Sequence, residues 1–158
     1  MTQIGDSELQ NRALRLLGRR EHSRLELWFK LYRNATDESQ LNRVLDELET
    51  GGWLDNARFA EVFARQRRET GYGPVRIRAE LDQRGVTSEP ETLADVTEAD
   101  WCVEARRQRV RRFGAGEPRS WKEKGRQGRF LAQRGFSQSH IRAALGSGGL
   151  DDGVDGCS

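Results

Sequence analysis

Glu80-Leu81-Asp82-Gln83-Arg84-Gly85-Val86 returns fifty residues later as Phe130-Leu131-Ala132-Gln133-Arg134-Gly135-Phe136, with Leu, Gln, Arg and Gly in register. A repeat of this period in a chain of 158 residues predicts a short array of helical units, each too small to bury its own apolar face alone. Such arrays offer long surfaces to extended partners more often than they enclose a catalytic pocket.

Outward from the repeat, apolar residues recur at steps of three and four and do not alternate, which predicts an all-α chain. Leu41, Val44, Leu45 and Leu48 form one stripe; Phe59, Ala60, Phe63 and Ala64 form another; Trp101, Ala105, Val110 and Phe113 form a looser third. Asp55 caps a helix from residue 56, with Leu54 and Phe59 as a hydrophobic staple, and Phe136, Ser137 and Ile141 repeat that arrangement. Pro74 suits a first helical position, and Thr87 or Ser88 opens a short helix holding Leu93 and Val96. Glycines at 51–52, 71, 85, 114, 116 and 135 punctuate helix ends. The expected fold is three tandem three-helix repeats over 9–51, 55–98 and 99–146, forming an elongated, curved, right-handed or solenoid-like array. The first repeat lacks the Arg-Gly turn, a departure common in terminal repeats. Residues 147–158, rich in Gly, Asp and Ser, read as a disordered tail.

With 35% apolar and 33% charged residues, the chain has little material for one thick core. Its cations are 24 Arg against 3 Lys, and guanidinium forks bind phosphate and carboxylate and stack on rings. Net charge is only +2, but residues 37–55 and 85–100 each carry −5 while 101–134 carry +8. Basic and acidic blocks therefore alternate roughly with the repeat. Cys102 lies in a helical pattern and Cys157 in the tail, a pair not expected to form a structural disulfide. No apolar run approaches the ~20 residues of a membrane span, and no signal segment is visible. The expectation is a cytoplasmic protein without membrane contact.

Four ordered motifs carry a family resemblance. They are Arg19-Xaa-Xaa-His22-Ser23-Xaa-Xaa-Glu26-Leu27, Gly52-Trp53-Leu54-Asp55-Asn56-Ala57-Arg58-Phe59-Ala60, Gly71-Tyr72-Gly73-Pro74-Val75-Arg76-Ile77-Arg78-Xaa-Glu80-Leu81 and Arg129-Phe130-Leu131-Xaa-Xaa-Arg134-Gly135-Phe136-Ser137. Over about residues 12–145 the chain resembles the RecX regulatory proteins of bacterial recombinational repair, and Asp100-Trp101-Cys102 is similar to their proteobacterial branch. Asn56 stands where many members carry a second Asp. The resemblance implies a small non-enzymatic protein of three three-helix repeats. It also implies binding to the RecA filament and restraint of RecA's strand exchange, ATPase and coprotease activities, in DNA repair and the SOS response.

Charge suggests where such a protein would touch its partner. The third repeat carries Arg106, Arg107, Arg109, Arg111 and Arg112, then Lys122, Lys124, Arg126, Arg129 and Arg134. Steps of three put Arg106, Arg109 and Arg112 on one broad helix face, and a step of four puts Arg107 and Arg111 on an adjacent one. A second cluster runs through Arg65, Arg67, Arg68, Arg76, Arg78 and Arg84. These side chains either meet RecA or DNA phosphate within the filament, or form solvated faces. Arg84 and Arg134, each just before Gly, either serve helix C-termini or bind. Trp28, Phe29, Phe59, Phe63, Trp101, Phe113, Phe130 and Phe136 fall at apolar spacing and read as core, whereas Trp53, Tyr72 and Trp121 lie in turns and read as exposed.

Catalysis finds no support. His22 and His140 are far apart and read as caps or surface groups, no paired-Cys metal spacing exists, and Gly71-Xaa-Gly73 lacks the strand and later glycine of a nucleotide loop. No catalytic residue, metal or cofactor is expected, and the protein is expected to act as a monomer. The competing reading is an independent helical DNA-binding protein or transcriptional regulator. Against it, no repeat carries a lone basic recognition helix with base-reading Asn, Gln and Arg.

Overall fold

The structure is a computed structural model that describes residues 4–146. The predicted tail at 147–158 lies outside the described residues. Within them the chain has no strand and nine helices: α1 (Asp6–Arg19), α2 (Arg24–Leu31), α3 (Glu38–Thr50), α4 (Asn56–Glu69), α5 (Pro74–Gln83), α6 (Glu91–Ala94), α7 (Glu98–Phe113), α8 (Trp121–Arg134) and α9 (Gln138–Leu145). By its packing the chain divides into two units, Met1–Phe63 with Leu81–Pro90, and Ala64–Glu80 with Glu91–Ser158. The division falls inside α4 and α5, not at a linker.

In the first unit the apolar faces of α1, α2 and α3 close on Leu9, Ala13, Leu27, Leu31, Leu41, Val44, Leu45 and Leu48, with Leu54 completing the cluster. A fully buried leucine of this kind contributes about 1.5–3 kcal/mol relative to exposure. Ser23 caps α2 in a reciprocal box: its hydroxyl accepts from Glu26 N–H at 3.1 Å, and the Glu26 carboxylate accepts from Ser23 N–H at 3.0 Å. Asp55 accepts from Arg58 N–H, and Leu54 and Phe59 are both buried, as a staple requires. Asn56 accepts from Arg24 N–H at 2.8 Å, a role an Asp oxygen would fill equally.

In the second unit α7, α8 and α9 pack together around Trp101, whose ring lies 6.5 Å from Phe136 and 6.4 Å from His140. Ser137 caps α9 in a second box. Its hydroxyl accepts from His140 N–H, and Nδ1 of His140 accepts from Ser137 N–H. The opposite ring nitrogen then carries the proton and donates to Glu98 at 2.6 Å. His140 is buried, so it works as a cap and not as a surface group.

The Arg-Gly echo is a docking device used once in each unit. Both copies end a helix on a left-handed glycine, Gly85 with φ +77° and Gly135 with φ +99°, and the residue after each glycine bonds back to Leu81 or Leu131. In the first unit Gly85 abuts the start of α2: a Cβ there would stand 3.1 Å from Leu25 Cβ. Arg84 lies 4.7 Å above the Phe63 ring and 3.9 Å from Glu26. In the second unit Gly135 abuts the start of α5, where Gly73 N–H donates to Arg134 O at 2.8 Å and Val75 N–H to Gly135 O at 2.9 Å. First-turn amides of one helix, which lack partners of their own, thus meet the closing carbonyls of another. Arg84 and Arg134 both lie over rings, Arg84 at 4.7 Å from Phe63 and Arg134 at 4.9 Å from Tyr72.

Three local expectations are corrected. The short helix α6 opens only at Glu91, because Pro90 drives the residue before it out of helical geometry, and Thr87, Ser88 and Val96 lie outside it. Phe29 is 60% exposed where core was expected. Tyr72 is half-buried beneath Arg67, Arg76 and Arg134 where an exposed turn residue was expected. The expectation about a Cys102–Cys157 disulfide involves a residue outside the described ones.

Candidate functional site

The predicted basic residues fall into three environments. On α7, Arg106, Arg107, Arg111 and Arg112 are exposed. Arg107 pairs with Glu104 at 2.8 Å, Arg106 reaches 3.5 Å toward Ala143 O, and Arg112 lies over Phe113. Arg65 and Arg68 are exposed near the end of α4, and with Glu69, Glu104 and Arg107 they line one cleft of about 310 Å³ within the second unit. The structure therefore joins members of two sequence clusters, from α4 and from α7, into a single basic mouth.

Arg109 does not share that surface. It is only 5% exposed, and its guanidinium donates to Gly116 O at 3.0 Å and to Gln127 Oε1 at 3.4 Å. Its Nε is buried without a partner. The helical period explains the departure from the expected broad face: Arg109 follows Ala105 by four residues and Trp101 by eight, so it lies on their buried side. Counting in threes from Arg106 overlooks the drift of a helix with 3.6 residues per turn.

A third group is structural. Arg67 and Arg76 both pair with Glu80, at 2.7 and 3.0 Å, and both lie with Arg134 over Tyr72. Arg76 also donates to Gln133 O. These contacts lock the start of α5 to the turn after α8. On α8 itself, Lys122, Arg126 and Arg129 are exposed, whereas Lys124 is half-buried over Trp121. Arg126 spans to Glu123 at 3.7 Å and lies over Phe113. Arg78 is exposed on α5. Trp53 and Trp121, predicted as exposed turn residues, are 60% and 83% exposed.

The first unit holds a cleft that charge blocks did not reveal. Arg12, Arg15 and Arg19 on α1 face Lys30 and Asn34 across about 620 Å³. Its signal was the spacing of three and four among those arginines, diluted by the acidic residues in the same stretch. Beneath it sits His22, 2% exposed, which was expected as a cap or surface group. Burial is the main cause holding its imidazole below the ordinary pKa of 6.5, and the charges of Arg20 and Lys30 act the same way. Glu26 is different. Burial alone would raise its pKa, but hydrogen bonds from Arg20 and from Ser23 N–H hold it below the ordinary value.

Family models described as the first, second and third three-helix domains of RecX match residues 10–48, 55–89 and 102–145. The chain belongs to the RecX family. A regulatory protein RecX from Halorhodospira halophila is 49% identical over 146 residues, covering 91% of this chain and 90% of that protein. A regulatory protein RecX from Pseudomonas fluorescens is 38% identical over 156 residues, covering 96% and 100%. The crystal structure of RecX from Lactobacillus salivarius has the same fold, with a TM-score of 0.68 at 20% identity over 86% of this chain and 91% of that one. A second RecX crystal structure has a TM-score of 0.72 at 22% identity, over 85% and 70%. RecX relatives carry the name of regulatory proteins, and among the described residues of this chain no helix is long and apolar enough to cross a membrane.

Proposed function

We propose that this protein binds the RecA–DNA filament through the basic mouth of its second unit and lowers RecA's recombinase, ATPase and coprotease activities. Membership of the RecX family supplies the class of function. The observation that carries the site is the convergence of Arg65, Arg68 and Arg107 on one cleft, continued along α7 by the exposed Arg111 and Arg112. Guanidinium groups displayed this way suit carboxylate on a protein surface and phosphate beside it, while the neighbouring Glu69 and Glu104 moderate attraction to bare DNA. The protein works as a cytoplasmic monomer and performs no chemistry of its own.

The test is RecA's DNA-dependent ATPase and strand exchange with RecA from the same organism. Wild-type protein lowers both, and the triple substitution Arg107→Glu, Arg111→Glu, Arg112→Glu leaves helicity unchanged while raising the concentration for half-inhibition at least about tenfold, ~1.4 kcal/mol. An inhibition curve that the triple variant does not move would remove α7 from the interface. No effect of wild-type protein on either RecA assay would sink the proposal. Stronger binding to naked duplex than to preformed filaments, across a salt series, would favour an independent DNA-binding protein instead.

A further inference from the structure

Most arginines of the first unit are engaged within the fold: Arg84 lies 3.9 Å from Glu26, and Arg33 donates to Tyr32 Oη. Arg20 pairs with Glu26, Arg24 with Asp46 and Glu49, Arg43 with Asp6, and Arg58 with Glu21. Among the described residues Arg15, Arg19 and Lys30 have no carboxylate partner, and Arg12 has only Glu8 at 3.6 Å with both side chains exposed. These four cations line the cleft between α1 and α2, with Glu8 at its rim beside Arg12. Steps of three and four place Arg12, Arg15 and Arg19 on one face of α1, where like charges destabilise an isolated helix by a few tenths of a kcal/mol per pair. Glu8 offsets part of that repulsion at Arg12, and no carboxylate described within the fold pairs with Arg15, Arg19 or Lys30.

The fourth cation is held in place by a buried neutral group. Arg20 O lies 3.0 Å from His22 Nδ1 and can only accept, so that nitrogen bears the proton and Nε2 accepts from Lys30 Nζ at 3.0 Å. Burial keeps the ring neutral. Lys30 is thus oriented by a buried acceptor, and His22 is a positioning residue for it.

We propose that this cleft binds the phosphodiester backbone of a nucleic-acid strand, independently of base sequence. The stripe from Arg12 to Arg19 runs about 10 Å along α1, longer than one phosphate group, which fits a polymer better than a free anion. The apolar lining consists of Leu16 and Leu31, with no ring for base stacking and little of the apolar core typical of a protein interface. Guanidinium forks and an ammonium against phosphate give binding that weakens steeply with salt and reads no sequence. The proposal requires no RecA and stands or falls separately from the filament reading.

Fluorescence anisotropy of a labelled 20-nucleotide single strand with the full chain, from 50 to 300 mM NaCl, tests it. Arg15→Gln with Arg19→Gln is expected to weaken binding at least about tenfold at the low-salt end and to reduce the slope of log K against log salt by about 1.4. Arg43→Gln, which removes a paired cation from the same unit, is expected to leave both nearly unchanged. Thermal melts followed by circular dichroism verify that each variant is folded. Wild-type affinity and slope in the double variant would overturn the proposal, as would no binding of naked strand by wild-type protein. Displacement of the strand by millimolar inorganic phosphate at constant ionic strength would reassign the cleft to small anions. Loss of RecA-filament binding in the double variant, with naked-strand binding intact, would reassign it to protein.

Discussion

Gly135 shows how much a single missing methyl group decides. Its backbone is left-handed, and a Cβ would stand 2.6 Å from the Arg76 backbone nitrogen, so strain and collision add. Gly135→Ala is therefore expected to destabilise the protein by more than about 2 kcal/mol, measured by urea unfolding. Gly128, inside α8, provides the opposite case: its Cβ would meet Ile141 and Leu145 at an ordinary 3.7 Å. Gly128→Ala is expected to stabilise by about 0.5–1 kcal/mol. His22 supplies a pH prediction. Its folded pKa lies below 6.5, so the unfolded chain binds a proton that the folded chain refuses. That contribution to stability is complete above about pH 6.5 and lost as pH falls toward the folded value. Urea midpoints between pH 7.5 and 5 should fall in wild type and fall less in His22→Gln. The glycines were legible because Leu-Xaa-Gln-Arg-Gly recurs; Arg109 was not, because a charge in a basic run gives no sign that its neighbours at four and eight residues are buried.

Helix boundaries follow cap chemistry closely enough to be read in advance. Ser137 before a buried Ile141, and Asp55 before a buried Phe59, each mark a helix that starts where the side chain can accept a first-turn N–H. Replacing Ser23 or Ser137 with Ala is expected to cost about 1 kcal/mol each, within a range of roughly 0.5–2, in chemical denaturation. The effect should be larger at Ser23, because its partner Glu26 also receives Arg20 at 3.1 Å and would lose a positioning contact. Where the sequence misled was at α6, since Thr87 and Ser88 are good caps but Pro90 follows too closely. The candidate site was half legible at this scale. Arg107 and Arg111 could be placed on α7 by spacing, but their meeting with Arg65 and Arg68 depends on packing between segments some forty residues apart, which periodicity does not encode.

At the scale of the whole molecule, three repeats are written in the sequence while two packing units are built from them. The first unit takes in residues 81–90, which lie beyond the end of its own three helices. A fragment of residues 1–50 therefore lacks Gly85 and the buried Leu81 and Val86, and is expected to melt broadly or to be unfolded. A fragment of residues 1–90 retains them and should show a cooperative thermal transition by circular dichroism. Equal cooperativity in the two fragments would mean that the Arg-Gly turn adds nothing to the first unit. The echo predicted repetition correctly, yet it could not reveal that each copy serves the helix of the repeat before it, because that partnership is tertiary.

The Arg-Gly turn also gives the repeat a grammar with a direction. Each such turn is a socket for the repeat that precedes it, and the first repeat has Tyr32-Arg33-Asn34-Ala35 after α2 with no left-handed glycine there. A fourth repeat appended after α9 would have to bring its own Arg-Gly pair, whereas one inserted ahead of α1 would force residues 32–35 to acquire it. Lengthening by duplication is consequently simple at one end and demanding at the other.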